Sequence, residues 1–491
     1  MKQFVIKNKF NLLFVFVFFY FYYYPVISLD IKYRDDYIRA LFLNLGWVDE
    51  GRFISKWIIN FFTFSDGIYT APLTQLLSLV CIAFTVIYAA QTIFKIINFY
   101  SCSLISLIFL NPFYLQNMSF GYDSLPMTIA TCCAIISALL IIQNKYYIPL
   151  TALLTFIIIF SYQTTIGIYV NALVFVLFIY YLQNGWNHND KIYIKAIISL
   201  SIYLLFCVIY KQIYPYLFDG SASRIVISLS NVKTNILQTI SYIKLLFFNI
   251  HYLLYITAVV TLLSFFIFHY QQIKTKQIKP IKVVVNFLIV GLLYIVFLLT
   301  AEGASLLFKT DISDVRLLIA ISFLWVLSFH IISLASKTLY YVFYFCFCCF
   351  CFSFSYSYGN FLKDQNHFFD MTMTNINYDI GHTPGVSSAQ IFVLNPFPLS
   401  ESNKKLASRI PLFLPLYGEQ NFDWLVAVKM SNILPYTFSG DERMMCQFIT
   451  ARDSATRTGI NSIKTAIYTL YYYQNNIFID FHTNIKNFCK K

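Results

Sequence analysis

The hydrophobic positions of this chain run in long unbroken blocks with short polar breaks between them. A helix needs roughly 20 apolar residues to cross the hydrocarbon core of a bilayer. About eleven blocks approach that length, near 10–29, 72–94, 97–112, 126–143, 147–161, 165–182, 193–213, 247–269, 283–301, 316–336 and 338–356. The blocks at 147–161 and 165–182 share "IIIFSYQTTIGIYV" and also read as one interrupted helix. The first block could be a signal peptide, but it is long and "PVISLD" offers no small-x-small cleavage site, so an uncleaved anchor is expected. The fold class is mainly α: a polytopic helical membrane protein.

Charge decides the sides. Lys2, Lys7 and Lys9 precede the first block; Lys95, Lys145, Lys191, Lys195, the lysines of "QQIKTKQIKPIK" and Lys337 follow in short breaks. All fall on one side if the spans alternate, which makes that side cytoplasmic and puts the N-terminus inside. The opposite side receives a first loop at 30–71, then 112–125, 214–244, 302–315 and the tail from 357. Nearly every carboxylate of the membrane half lies there.

Composition supports the membrane reading: 58% of the 491 residues are hydrophobic and 12% are charged, far from the globular balance. A net charge of +13 does not indicate nucleic acid, because the basic residues sit where they orient helices. Of eleven cysteines, "CFCCFC" at 346–351 is better read as small apolar filling than as a metal cluster. Cys446 and Cys489 alone lie in a polar region, and on the outer side they are expected to form a disulfide. The division expected is a membrane domain at 1–356 and a small outer α/β domain at 357–491, whose "TPGVSSAQIFVLNPFPLSESNKKLASRIPLF" reads as short strands broken by turns. No Walker A pattern and no G-x-G-x-x-G occurs.

The densest charge is "YRDDYIRALFLNLGWVDEGR" at 33–52. It reads as a solvated loop helix with an Asp35–Arg39 pair four residues apart. It also reads as a catalytic segment. A carboxylate near the low-dielectric boundary, with an acid beside it, holds protons more readily, so Asp35 or Asp36 could take the proton of an attacking hydroxyl. Arg34, Arg39 and Arg52 could meet phosphate oxygens bidentately.

"RDDYIRALFLNLGWVDEGRFISKWI", "APLTQLLSLVCIAF", "LNPFYLQNMSFGYDSLPMTIA" and "FSYQTTIGIYV" resemble the bacterial and phage serotype-converting O-antigen glucosyltransferases of the Gtr type-two family. "FDGSASRIVISLSN" and "SDVRLLIAISFLWVLSF" fall where that family has an outer loop with Ser and Arg and an Arg opening a late span. The resemblance implies a membrane glycosyltransferase of C-type architecture in the bacterial inner membrane, with its active site periplasmic. Its donor would be undecaprenyl-phosphate sugar, made by another glycosyltransferase and delivered by a flippase; its acceptor would be O-antigen. It places the catalytic carboxylates at Asp35 and Asp36, one acting as base in an inverting transfer. No cofactor is implied; a divalent ion stays open, since adjacent aspartates can bind one.

The remaining candidates each carry a plainer reading. "RFISKWIINFF" reads as an interfacial helix with Trp57 at headgroup depth. Tyr122 and Asp123 precede Pro126, where capping and substrate contact fit equally. Gln163 lines a cavity or satisfies a turn; Arg224 and Arg316 bind phosphate or anchor at the interface. A flippase of lipid-linked sugars would put charges inside spans and show a hydropathy repeat, and a polymerase would carry its basic residues in a large middle loop. The chain shows none of these patterns.

Overall fold

The computed structural model describes residues 2–44, 46–65, 67–143, 146–184, 191–217, 231–246, 251–275, 279–303, 315–382, 390–418, 423–431, 437–453 and 460–482. The chain divides into two compact units, one of Met1–Asp30 and Leu45–Ser357, the other of Ile31–Asn44 and Tyr358–Lys491.

The first unit holds α1 (Lys2–Ile27); in the first loop, α2 (Asp35–Phe42) belongs to the second unit and α3 (Phe53–Thr63) to the first. Then come α4 (Leu73–Phe94), α5 (Phe99–Ser106), α6 (Tyr114–Ser119), α7 (Ser124–Gln143), α8 (Tyr147–Ile159) and α9 (Ile166–Asn184). After them stand α10 (Lys191–Leu217), α11 (Val232–Leu246), α12 (His251–Lys274), α13 (Pro280–Leu299) and α14 (Ser322–Ala335). Among the described residues nine helices are long and apolar enough to cross a membrane. Nine of the eleven predicted blocks coincide with them; 97–112 and 147–161 do not.

The block at 97–112 is a broken crossing. Asn98 caps α5 by accepting the Ser101 amide at 2.9 Å, and the Tyr100 hydroxyl meets His330 Nδ1 at 2.8 Å near the lysine-bearing end of α14. In α6 the Met118 carbonyl accepts from Gln75 at the opposite end of α4 (3.0 Å), and beyond α6 the Gly121 carbonyl accepts from Thr74 (2.6 Å). The segment thus travels the length of α4 as two short helices. Its break is satisfied internally: Asn111 accepts the Phe113 amide (3.1 Å) and donates to the Ile319 carbonyl (3.3 Å), and Tyr23 donates to the Phe109 carbonyl (2.5 Å). Residues 103–128 are all buried, the condition under which irregular backbone persists at membrane depth.

The block at 147–161 forms only the 13-residue α8. It ends in a turn beneath α3, where Ser55 donates to the Ser161 carbonyl at 3.0 Å and the Ile54 amide to the Phe160 carbonyl at 3.1 Å. After the 3-10 turn Gln163–Thr165, α9 returns, with Asn171 beside Thr300 and Tyr181 bonded to Asn286 at 2.7 Å. These are two antiparallel helices, not one interrupted helix.

The last predicted span continues without a break. α15 (Lys337–Gly381) has 45 residues, about 68 Å at 1.5 Å per residue. Its part from Tyr358 on belongs to the second unit. That unit adds α16 (Glu401–Arg409), α17 (Phe413–Tyr417), α18 (Asp423–Ser431) and α19 (Glu442–Asp453) around a five-stranded sheet. Its strands β1 (Gln390–Val393), β2 (Thr437–Phe438), β3 (Asn461–Lys464), β4 (Thr469–Tyr473) and β5 (Asn476–Asp480) stand in the order β2-β1-β5-β4-β3, with β1 parallel to both neighbours and the rest antiparallel. Gln474 and Asn475 join β4 to β5 with φ of 49° and 59°, the left-handed pair that a two-residue hairpin favours. Phe369, Met373 and Ile376 of α15 and Val426 of α18 pack on one face of the sheet; Met445 and Phe448 of α19 pack on the other. Cys446 is disulfide-bonded, and Cys489 lies outside the described residues.

Candidate active site

The segment 31–44 is built from the second unit. Tyr33 and Tyr358 both donate to the Leu416 carbonyl, the latter at 3.0 Å. Arg34 bends the chain into α2 with φ 48° and ψ −113°, a conformation costly for a side-chain-bearing residue. Its side chain lies against Gly418, whose φ of 78° favours glycine and where a Cβ would stand 3.0 Å from Arg34 Cδ.

The two aspartates differ. Asp36 is fully buried, accepts the Tyr33 amide at 3.3 Å and stands 3.9 Å from Arg39 Nη1, itself buried. Arg39 therefore pairs three residues back, not with Asp35 four residues back as the sequence suggested. Asp35 is half-buried, and among the described residues its carboxylate makes no hydrogen bond or ion pair. One carboxylate closes the helix start; its neighbour is uncommitted.

The other candidates divide among several places in the first unit. Arg52 opens α3, with Nη1 3.1 Å from Glu50 and its guanidinium 5.7 Å from the Tyr162 ring centre. Gln163 donates to the Tyr210 hydroxyl at 3.0 Å, and Tyr210 and Tyr214 donate to the Glu50 and Asp49 carbonyls at 3.4 and 3.2 Å. Tyr210 and Tyr214 thus tie α10 to the loop before α3, and Gln163 joins the turn before α9 to α10. Gly51 (φ 71°) lets this loop lie on α10; a Cβ there would meet the Tyr214 ring at 2.9 Å. Tyr122 is buried with Trp47 and Ile59 and donates to the Gly67 carbonyl at 2.7 Å; it is a core residue. Asp123 is buried immediately before α7. The Arg316 guanidinium lies 4.9 Å from the Phe120 ring centre, and its amide donates to Gln116 at 2.7 Å. Arg224 lies outside the described residues.

Two residues escaped the sequence reading. Glu302, after α13, is buried and accepts from the Thr239 hydroxyl; burial pushes its carboxyl up. A single acid following a long apolar run was its only signal. Lys429 is buried on α18, where burial brings its amine down to about 8. A lone charge inside "WLVAVKM" was the signal there. Among the described residues no group of three or more His, Cys, Asp or Glu stands together as a metal site.

Comparison with known proteins agrees with the resemblance seen in the sequence. An uncharacterized 55.3 kDa protein in the gtrB 5′ region of Salmonella phage P22 is 29% identical over 147 residues, 30% of this chain and 30% of that protein. The match thus spans under a third of that relative's length. No solved structure matches. Residues 24–308 match the family described as Glucosyl transferase GtrII, and since that is more than half of the chain, this polytopic membrane protein belongs to the GtrII glucosyl transferase family.

Proposed function

We propose that the chain transfers a glucosyl residue from undecaprenyl-phosphate glucose to O-antigen repeat units on the periplasmic face of the bacterial inner membrane, with Asp35 as the base. Family membership supports a glucosyl transferase. The missing nucleotide-phosphate loops agree with a lipid-phosphate donor. The observation that carries the residue assignment is the inequality of the aspartates: Asp36 is held by Arg39 and the Tyr33 amide, while Asp35 is partly exposed and uncommitted.

The step then balances as follows. The acceptor hydroxyl gives its proton to an Asp35 carboxylate oxygen as its own oxygen bonds to the sugar's anomeric carbon. On the opposite face the bond from that carbon to the phosphate oxygen breaks, and polyprenyl phosphate leaves with the electron pair, so configuration inverts. Guanidiniums stabilise the charge that develops on the leaving phosphate. Arg34, in the same unit as Asp35, is proposed for that role; Arg52 and Arg316 keep their sequence-based proposal as phosphate ligands, Arg39 supports Asp36, and Tyr122, Asp123 and Gln163 keep theirs as substrate contacts. Arg224 keeps its sequence-based proposal as a phosphate ligand. A donor-synthesising glycosyltransferase and a flippase would supply the substrate. The chain is proposed to work as a membrane domain at 1–356 and a periplasmic domain at 357–491, with 31–44 of the catalytic loop built into the latter.

NMR of the host's O-antigen with and without the gene tests this reading. An added glucose on the repeat unit is expected; an unchanged O-antigen in cells whose membranes contain the protein overturns it.

A further inference from the structure

Burying an ammonium in an apolar core is costly unless the charge is met. Lys429 is 7% exposed, among Tyr37, Phe369, Phe397, Tyr417, Leu425 and Val426. Its Nζ donates to Asn366 Oδ1 of α15 at 3.0 Å and stands 3.9 Å from the Phe369 ring centre and 5.3 Å from that of Tyr37. Asp370 of α15 adds a favourable charge; Tyr37 and Tyr417 are the titratable groups facing it from α2 and α17. A methionine would fill this space without desolvating a charge. What the amine adds is a directed attraction between three elements, since a cation favours an aromatic face. Tyr37 lies two residues from Asp35, on the same two-turn helix.

We propose that Lys429 is a positioning residue for the transfer: by standing over Tyr37 it fixes α2 on α15 and α18, and so fixes the carboxylate of Asp35. The proposal rests on Asp35 being the base. It gives the tail a part in the reaction, because a displacement of about 1 Å in a reacting group can cost a hundredfold in rate.

The test is a double-mutant cycle on the full chain in membranes, reading transfer from polyprenyl-phosphate glucose at varied donor concentration. Lys429→Met and Tyr37→Leu are each expected to lower kcat about ten- to a hundredfold, with donor KM little changed. The double variant should be no worse than the worse single one, and Tyr37→Phe, which keeps the ring, should retain most activity. Hydrogen exchange at 31–44 should quicken in Lys429→Met while the β4–β5 hairpin keeps its protection. Should Lys429→Met not accumulate, Lys429→Gln gives the same reading, keeping a donor to Asn366 without the charge. Additive losses, losses confined to KM, or an unchanged rate overturn the proposal. Asp35→Asn is a separate arm. Wild-type activity there removes the base assignment while the cycle still reads the Lys429–Tyr37 coupling; an inactive Asp35→Asn with an additive cycle removes only the positioning role.

Discussion

Adjacent aspartates in one helix turn point about 100° apart, and at Asp35 and Asp36 that angle separates two environments. Asp36→Asn keeps an oxygen for the Tyr33 amide but removes the charge beside buried Arg39. A loss of about 1–3 kcal/mol is expected, read as a lower melting temperature in detergent and a lower membrane level. Asp35→Asn should leave both unchanged. Lys429 gives a pH-dependent signal. Its amine titrates near 8 in the folded chain and near 10.4 when unfolded, so between those values the unfolded state binds more protons and stability rises with pH. The wild-type melting temperature should therefore rise from pH 8 to 10 relative to that of Lys429→Met, which lacks the titrating amine. The sequence displayed the charged segment, yet it could not show which aspartate is buried, because residues more than 300 positions away, such as Leu416 and Tyr358, shape its surroundings.

At the scale of elements, hydropathy located the long helices well, because nine of the predicted blocks coincide with apolar helices of spanning length. It missed the break between α5 and α6, since an averaged window ignores how backbone groups are satisfied. Asn111–Pro112 was the local signal, as Asn-Pro favours turn initiation. It also ended α15 too early: polar residues after 357 lower hydropathy without stopping a helix. The loop before α3 has its own test. Gly51→Ala must accommodate a methyl against Tyr210 and Tyr214 at positive φ, and overpacking of this kind costs about 1–3 kcal/mol. A lower melting temperature is expected, with Tyr214→Ala partly restoring it.

For the whole molecule, the two units interleave in sequence: residues 31–44, from the first loop, fold with the tail. Composition pointed to a tail from 357 but could not reveal that α2 joins it, because that grouping depends on tertiary packing alone. The family match ends at 308, so the tail's part must be argued from its own residues. The one-sided lysines predict that reporter fusions after Lys195 and Lys282 read cytoplasmic, and fusions after Ser65, Ser241 and the C-terminus periplasmic; a cytoplasmic C-terminus would put Asp35 and O-antigen on different sides.

The most direct measurement is the rate of glucosyl transfer from polyprenyl-phosphate glucose to O-antigen in membranes holding equal amounts of wild type, Asp35→Asn and Asp36→Asn. With Asp35 as base, Asp35→Asn should lose about a hundred- to ten-thousand-fold at unchanged melting temperature, while Asp36→Asn loses less and melts lower. Transfer at near wild-type rate in Asp35→Asn would contradict the assignment and return "YRDDYIR" to a charged loop helix.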